Sequence, residues 1–340
     1  MNKKDRNVEL LIMETKLILK NKDKYDILKM ASGINLGVYM NIPENYFRAP
    51  DRFTNSWIKQ NDKYVYFKSK EFYSYIYTQK NRSVNELVVD IIAKQIGIQT
   101  AKYEPAHLYH VHGIISHDVT KSYEELLTLS DLFDVSNYDT SMDFVDRAWN
   151  DSYMVNYEAD KKQIMFDLYK MLVLDALTMQ EDRHANNIFF IRDTEDNSIR
   201  LAPLIDNEFA FALKTVDNFI KNKAYRDEEG YDKDKFLRIH STFLQFSAYP
   251  ENSAERYKKY GKNVKDLIEL AVKKPQYKEF LINSLKNASI EKAICAVEKM
   301  GYEISPEYRQ YMCDVVNLAK HTFADKIKEV RSSQNYSQRS

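Results

Sequence analysis

The residues from Glu181 to Phe211 constrain the fold of this chain more than any other stretch. Their sequence, EDRHANNIFFIRDTEDNSIRLAPLIDNEFAF, runs in the order polar loop, short strand, turn, short strand and polar end. This order predicts a β-hairpin. A turn centred on Glu195 and Asp196 would set Asn187 roughly opposite Leu204.

Three oxygen-bearing side chains meet at the open end of this predicted hairpin. Asp182 and Asn187 lie five residues apart before the first strand, and Asp206 follows the second strand. Residues opposite each other in an antiparallel pair lie about 5 Å apart. Carboxylate and amide oxygens at one point are the ligands that a hard cation such as Mg²⁺ needs. The spacing therefore predicts a Mg²⁺ site of the kind used in phosphoryl transfer.

The same residues fit the parts of a kinase catalytic loop. In kinases an aspartate accepts the proton of the attacking hydroxyl, and an asparagine five residues later holds metal. Asp182 and Asn187 have this spacing, and Asp206 takes the place of the metal-binding aspartate, although the Phe-Gly pair that follows it in protein kinases is absent. His184 fits two roles equally, since it could donate to a terminal phosphate or hold the loop through backbone bonds.

A second group of candidates lies in the first third of the chain. Lys68 ends the aromatic strand YVYFK, where a lysine of a nucleotide-binding lobe would neutralise phosphate charge. A predicted helix follows, with Ser83 as its N-cap and Gly97 at its end. Glu86 could pair with Lys68, but the capping box formed by Ser83 and Glu86 explains this glutamate fully and is slightly favoured.

The expected phosphate loop is the weakest element of this pattern. A loop of the type G-x-G-x-x-G should precede the lysine strand, yet the segment NYFRAPDRFTNSWIKQ contains no glycine. Backbone N–H groups from Arg52 to Ser56 could still line a phosphate. A side chain on each of these residues restricts close approach of the backbone.

The remaining pattern predicts two lobes. Residues 1–118 read mainly as strands with one helix and form a β-rich nucleotide-binding lobe. Residues 119–330 form a larger, mainly helical catalytic lobe, in which the segments SYEELLTLSDLF and QIMFDLYKMLVLDALTMQ are predicted helices. Residues 331–340 carry few apolar side chains and are expected to be a disordered tail. The predicted fold class is α+β, with a two-lobed, protein-kinase-like arrangement.

Bulk composition limits the functional classes. The 50 basic and 50 acidic residues cancel, which gives no support for direct nucleic-acid binding or for general attraction to a membrane. No run approaches the roughly 18 apolar residues of a membrane span. The two cysteines lack metal-ligand spacing, and no cleavable signal-peptide pattern opens the sequence, so a cytoplasmic location is expected. Secretion without a cleaved signal stays open.

The motifs resemble those of the HipA-like serine/threonine kinases. The resemblance is carried by DRHANNIFF with LAPLIDNEFAF, by YVYFK, by NEL in the predicted helix, and by HGIISHDV at the border of the lobes. The order Asp-Arg-His-x-x-Asn is also similar to the catalytic loop of phosphatidylinositol kinases. The resemblance covers roughly residues 50–330, and its specific part is 181–211.

This resemblance implies an ATP- and Mg²⁺-dependent protein kinase. It implies Asp182 as catalytic base, Asn187 and Asp206 as Mg²⁺ ligands, and Lys68 as the contact to ATP phosphate. Some members autophosphorylate in the phosphate loop, where the corresponding candidates are Thr54 and Ser56. The implied partners are a protein substrate with a serine or threonine hydroxyl and a cognate antitoxin or regulatory protein.

Three other functions remain open from the residues alone. A phosphatidylinositol-type lipid kinase suits the Asp-Arg-His order. A nucleotide-binding pseudokinase that acts as an interaction module suits the glycine-free loop. A metal-dependent hydrolase is a more distant third possibility.

Overall fold

The computed structural model describes most of the chain between Asn55 and Ser337, with gaps. The described residues are 55–60, 63–69, 72–73, 78–79, 81–108, 111–132, 153–180, 183, 187–211, 226–227, 230–231 and 264–337. Their contacts divide them into two units. The smaller unit contains the described residues up to Leu87, together with Ala101–Val119 and Cys295–Ile304; the larger contains Val88–Thr100, Thr120–Ile294 and Ser305 onward. The two predicted lobes, 1–118 and 119–330, are each continuous in sequence.

The smaller unit is built on an antiparallel sheet. Its strands are β1 (Asn55–Gln60), β2 (Lys63–Ser69), β5 (Tyr103–Leu108) and β6 (Val111–His117), in the order β1-β2-β6-β5. A short pair formed by β3 (Phe72–Tyr73) and β4 (Thr78–Gln79) lies between β2 and the first helix in sequence. Gln60 pairs with Lys63 where β1 meets β2.

Close packing around Gly113 fixes the strand that carries Lys68. A Cβ atom at Gly113 would lie 2.2 Å from the carbonyl oxygen of Lys68 and 2.6 Å from the ring of Phe67. Backbone this close to a neighbouring strand admits glycine alone. The Tyr302 hydroxyl donates a hydrogen bond to the Gly113 carbonyl. A segment from far along the chain thus completes the smaller unit.

The first helix, α1, runs over Arg82–Gln95. Its buried apolar side chains include Val84, Leu87, Val88 and Ile92, and Gly97 with φ of +76° follows its end. Glycine is favoured there because a left-handed residue closes a helix C-terminus.

The larger unit is mainly helical. Its first elements are β7 (Glu124–Thr128), α2 (Leu129–Leu132), a 3₁₀ turn at Tyr153–Tyr157 and α3 (Glu158–Thr178). The strands β8 (Phe189–Asp193) and β9 (Ile199–Leu201) follow, and then the short pair β10 (Arg226–Asp227) and β11 (Gly230–Tyr231). The last elements are the helices α4 (Val264–Lys273), α5 (Pro275–Asn287), α6 (Ile290–Lys299) and α7 (Pro306–Ser337); the last residues of α6 belong to the smaller unit.

Helix α3 forms the centre of this unit, as its apolar sequence predicts. Every residue from Met171 to Thr178 is buried, so the helix is enclosed on all sides over its last two turns. Tyr169 packs against Tyr277 of α5 with ring centroids 4.4 Å apart. Met179 then adopts a left-handed conformation and ends the helix, which directs the chain into the loop before β8.

The predicted helix over SYEELLTLSDLF is wrong in its first half. Glu124–Thr128 is the strand β7, which pairs with β8, and α2 begins only at Leu129. Salt bridges reinforce this sheet, since Arg192 pairs with Glu125 and Arg200 with Glu124. Pairing with a segment more than 60 residues away decides the structure of these residues, and local periodicity does not contain that information.

Helix α7 has a capped start. Pro306 is its first residue, and the Ser305 hydroxyl accepts a hydrogen bond from the Tyr308 N–H, as a helix cap should. The helix runs to Ser337 and so includes part of the tail 331–340 that is expected to be disordered. Extending a helix that already exists costs little, because the unfavourable step is nucleation. Within the described residues, no helix combines the length and hydropathy needed to cross a membrane.

Candidate active site

Lys68 and Glu86 form a buried ion pair in the smaller unit. Lys68 lies on β2 with 7% of its surface exposed, and Glu86 lies on α1 and is fully buried. The Lys68 Nζ atom lies 3.4 Å from Glu86 Oε2. The Tyr103 hydroxyl donates a hydrogen bond to the other carboxylate oxygen of Glu86. A strand lysine paired with a helix glutamate is the arrangement that an active protein kinase requires.

The capping box predicted for this helix is wrong. Helix α1 begins at Arg82, so Ser83 lies inside its first turn. The Ser83 hydroxyl donates a hydrogen bond to the Lys68 carbonyl at 3.1 Å. Glu86 pairs with Lys68 and does not cap the helix. The sequence slightly favours the cap, because the contact with Lys68 depends on the tertiary fold.

The hairpin in the larger unit has the predicted register. Phe190 pairs with Leu201 and Arg192 with Ile199. The Ala202 N–H donates to the Phe189 carbonyl at 2.8 Å, which extends the pairing by one bond, whereas the Leu204 N–H donates to the Gln99 carbonyl at 2.9 Å. The turn lies at residues 194–196, as expected from Glu195 and Asp196.

Asp206 has an unusual backbone conformation at the end of this hairpin. Its φ of +62° lies in the left-handed region, which aspartate and asparagine tolerate better than other residues with a side chain. Gln180, just after α3, donates a hydrogen bond from its side-chain amide to the Asp206 carbonyl at 3.3 Å. Such strained residues persist where the surrounding structure fixes them and often mark functional positions.

Arg183 connects the two segments that lie at the open end of the hairpin. Its guanidinium bonds both carboxylate oxygens of Asp175 on α3, at 3.0 and 3.1 Å. Its Nη1 atom donates to the carbonyls of Asn187 and Ile205 at 3.1 and 3.2 Å, and Nη2 donates to Asn207 Oδ1 at 2.6 Å. The backbones next to both predicted Mg²⁺ ligands are thus held by one side chain.

The Arg183–Asp175 pair is deeply buried. Arg183 is 4% exposed and Asp175 is 3% exposed. Burial raises the pKa of the Asp175 carboxyl above its ordinary value, while the adjacent Arg183 charge and hydrogen bonds act in the opposite direction. Removing either partner of such a pair would leave the other charge buried without a counter-charge, which would lower the stability of the fold.

The donor chemistry at Asp206 fits a divalent cation. Carboxylate oxygens of Asp206 and Glu208 lie within 4.8 Å of one another. Two oxygens that bind one Mg²⁺ at its usual distance can be up to about 4.2 Å apart, so a small side-chain movement would suffice. Hard oxygen donors of this type suit Mg²⁺.

The remaining predicted residues contribute less to the described geometry. Asp182, His184 and Thr54 lie outside the described residues, and their roles stay predictions. Ser56 lies in β1, where its backbone pairs with that of Phe67.

Sequence reasoning missed several residues of this region. The sequence motifs predict no role for Arg183, which lies between Asp182 and His184, or for Asp175, which lies within an apolar predicted helix. The available indication was a lone carboxylate in the run MLVLDALT, which needs a buried partner. Tyr103 and Glu208 gave no comparable indication, because their partners come from the tertiary fold.

Comparison with known proteins identifies the fold. No family model and no curated protein matches the chain. Among solved structures, it is similar to the Helicobacter pylori proinflammatory kinase CtkA, with 15% identity, a TM-score of 0.58, and coverage of 83% of this chain and 95% of that chain.

Two further solved structures align over similar lengths. One is HipA from the HipA, HipB and operator DNA complex of a Shewanella oneidensis toxin–antitoxin system, with 13% identity, a TM-score of 0.48, and coverage of 86% of this chain and 70% of that chain. The other is the golgi casein kinase, with 12% identity, a TM-score of 0.36, and coverage of 83% and 71%. Since both scores lie below 0.5, the assignment rests on the first similarity. The chain has the α+β, two-lobed, protein-kinase-like fold that its sequence predicts.

Proposed function

We propose that this protein is an ATP- and Mg²⁺-dependent serine/threonine protein kinase of the HipA-like type. The observation that carries the proposal is the buried pair of Lys68 on β2 and Glu86 on α1, joined at 3.4 Å. In protein kinases this pairing holds the lysine against the nucleotide phosphates. The protein-kinase-like fold supports the same reading.

Lys68 has the task of neutralising phosphate charge in this proposal. Glu86 orients the ammonium group, and the Tyr103 hydroxyl fixes the Glu86 carboxylate in turn. Because all three groups are largely buried, their charges are weakly screened by water. The pair with Glu86 therefore orients the Lys68 ammonium group without a large rearrangement when nucleotide binds.

Asn187 and Asp206 would hold Mg²⁺ at the open end of the hairpin. Bound Mg²⁺ supplies positive charge that offsets the charge developing on the phosphate oxygens. Arg183 bonds the Asn187 carbonyl and the carbonyl before Asp206, which holds these two backbone segments together. Preorganised groups of this kind account for much of the rate in phosphoryl transfer.

Asp182 would position the attacking hydroxyl. The hydroxyl oxygen forms a bond to the γ-phosphorus, the bond from that phosphorus to the bridging oxygen of ADP breaks, and Asp182 takes the hydroxyl proton. His184 would donate to the terminal phosphate. Thr54 and Ser56 are the proposed sites of autophosphorylation. The roles of these four residues rest on the sequence.

The proposed partners follow from the same family resemblance. The substrate would be a protein that presents a serine or threonine hydroxyl, and a cognate antitoxin or other regulatory protein would control the activity. This part of the proposal rests on the sequence motifs.

Incubation with γ-labelled ATP and Mg²⁺ tests the proposal directly. We expect labelled phosphate on the protein itself or on an added protein substrate, and peptide mapping would identify the modified residue. Asp206→Asn should lower the rate by about 1,000-fold or more, because the negative charge of a proposed metal ligand is lost while asparagine still suits the left-handed backbone. Asp196→Asn is the matched control, since this exposed aspartate lies in the turn at the other end of the same hairpin.

Three outcomes would contradict the assignment. Unchanged transfer by Asp206→Asn would show that the metal site is wrong. Phosphorylation of inositol lipids in place of protein, assayed side by side, would favour a lipid kinase. Stabilisation by ATP and Mg²⁺ without any transfer would favour a pseudokinase.

A further inference from the structure

The side chain of Arg183 contacts both segments that carry the proposed Mg²⁺ ligands. The Asn187 and Ile205 carbonyls accept hydrogen bonds from the same Nη1 atom at 3.1 and 3.2 Å. Asn187 is itself a proposed ligand, and Ile205 precedes Asp206. Their separation is therefore set by one planar group.

The planar shape of the guanidinium matters for this arrangement. Its Nε and Nη2 atoms bond Asp175 while Nη2 also reaches Asn207, so the direction of Nη1 toward the two carbonyls is fixed. A lysine ammonium is a point charge on a flexible stem and cannot reproduce this fork. The geometry depends on arginine and not simply on positive charge.

The anchor of Arg183 is a rigid part of the larger unit. Asp175 lies in the fully buried part of α3. The end of the same helix also holds the Asp206 segment, because the Phe211 N–H donates to the Thr178 carbonyl at 2.6 Å. If the Arg183 side chain were displaced, the backbones of Asn187 and Ile205 would lose their link to α3. The bond from Phe211 to Thr178 at the end of α3 would remain.

We propose that Arg183, anchored by Asp175, is a positioning residue that sets the spacing of Asn187 and Asp206 and thereby determines the affinity for the divalent cation. This inference rests on the proposed function of those two ligands. Residues that orient metal ligands from behind commonly change metal affinity by about 10- to 100-fold when they are replaced.

Binding of Mn²⁺, followed by electron paramagnetic resonance in the presence of a non-hydrolysable ATP analogue, tests the inference without requiring turnover. The main variant is the double replacement Asp175→Leu with Arg183→Met, which removes both buried charges and is expected to fold, since such pairs can be exchanged for apolar residues of similar volume. We expect Mn²⁺ to bind about 10- to 100-fold more weakly. The melting temperature of the metal-free protein should fall, because the acceptors on Asn187, Ile205 and Asn207 lose their donor, but by less than in Arg183→Met alone, where Asp175 is also left unpaired.

Two single variants complete the experiment. Arg183→Lys keeps the charge and loses the fork, so its Mn²⁺ affinity should fall similarly. Arg192→Lys is the matched control, because Arg192 makes an exposed pair with Glu125 on the same hairpin, and its Mn²⁺ affinity should equal that of the unmodified protein.

The outcomes separate this inference from the proposed function. Lower stability with unchanged Mn²⁺ affinity in both Arg183 variants would overturn the positioning role. Normal Mn²⁺ binding by the unmodified protein without phosphoryl transfer would overturn the proposed function, and the affinities of the variants would still decide the role of Arg183. Loss of Mn²⁺ binding in Asp206→Asn is expected; its retention would overturn both.

Discussion

Two buried ion pairs among the residues that the structure describes differ in how firmly their partners are held. Lys68 and Glu86 in the smaller unit meet at 3.4 Å, which is long for a charge-assisted hydrogen bond. Arg183 and Asp175 in the larger unit form a two-pronged contact at 3.0 and 3.1 Å, and the same guanidinium bonds the backbone at two further points. Lys68 meets one oxygen of its carboxylate at long distance, whereas the Arg183 guanidinium is fixed in a plane.

This difference indicates different tasks for the two cations. A lysine held at long distance can reorient toward a phosphate at small cost, because its ammonium group has no preferred plane. An arginine with a two-pronged carboxylate contact is suited to hold other groups in place. Exposure does not separate the two pairs, since all four side chains are buried.

The largest effect is expected from breaking the Arg183 pair on one side. Arg183→Met should lower the free energy of unfolding by about 3–5 kcal/mol, because it leaves the Asp175 carboxylate buried without its counter-charge. Chemical denaturation would measure this loss. Adding Asp175→Leu should restore the part of the stability that is lost through the unpaired carboxylate. The carbonyls of Asn187 and Ile205 and the Asn207 side chain still lack their donor in the double variant. A double variant as unstable as the single one would show that the loss comes from packing or from these acceptors, and not from charge.

The next largest effect concerns catalysis in the smaller unit. Lys68→Met should reduce kcat/KM for ATP by about 100-fold, which corresponds to about 2.7 kcal/mol of transition-state stabilisation. Steady-state kinetics would measure it. Lys121→Met, at an exposed lysine beside Glu124 in the larger unit, is the control and should retain full activity.

A smaller effect should follow removal of the Tyr103 hydroxyl. Tyr103→Phe takes away the donor to Glu86 and should cost about 1–2 kcal/mol of stability, because a hydrogen bond to a buried charged group is lost. Thermal unfolding would show the change. If Lys68 depends on Glu86 for its orientation, KM for ATP should rise in the same variant, and an unchanged KM would separate stability from orientation.

The smallest effect is expected at Glu104, a half-buried carboxylate in the same sheet. Burial raises the pKa of Glu104, but hydrogen bonds from Lys102 and His117 outweigh it and lower the pKa overall. A lowered carboxyl pKa adds stability above the ordinary value of 4.5, and this stability is lost as the pH falls through the folded-state pKa. Glu104→Gln should remove less than about 1 kcal/mol at pH 7 and nothing at low pH. Melting temperatures across pH 3–7 would test this, and an equal loss at both ends would exclude ionisation as the cause.

The sequence predicted the hairpin well because its information is local. The strands at Phe189–Asp193 and Ile199–Leu201 flank the polar turn, and side-chain and backbone bonds of Asp193 and Asp196 close that turn. The turn then fixed the register of the two strands, in which Phe190 pairs with Leu201 and Arg192 with Ile199.

The sequence failed where distant residues decide the structure. Serine is a common N-cap residue, yet the Ser83 hydroxyl donates a hydrogen bond to the carbonyl of Lys68 on strand β2. Glu124–Thr128 has helical periodicity, yet it pairs as a strand with β8. Asp175 and Arg183 are eight residues apart, and their contact depends on the left-handed turn at Met179 that no local pattern indicates.

The bond from Tyr302 to Gly113 has a consequence for synthesis of the chain. The two residues are 189 positions apart, so the smaller unit lacks one of its contacts until Tyr302 has left the ribosome. At about 5–20 residues per second this delay is about 10–40 s. During that interval the strand that carries Lys68 would be less protected than in the finished protein, and the nascent chain would depend on other contacts, or on chaperones, to keep it from aggregating.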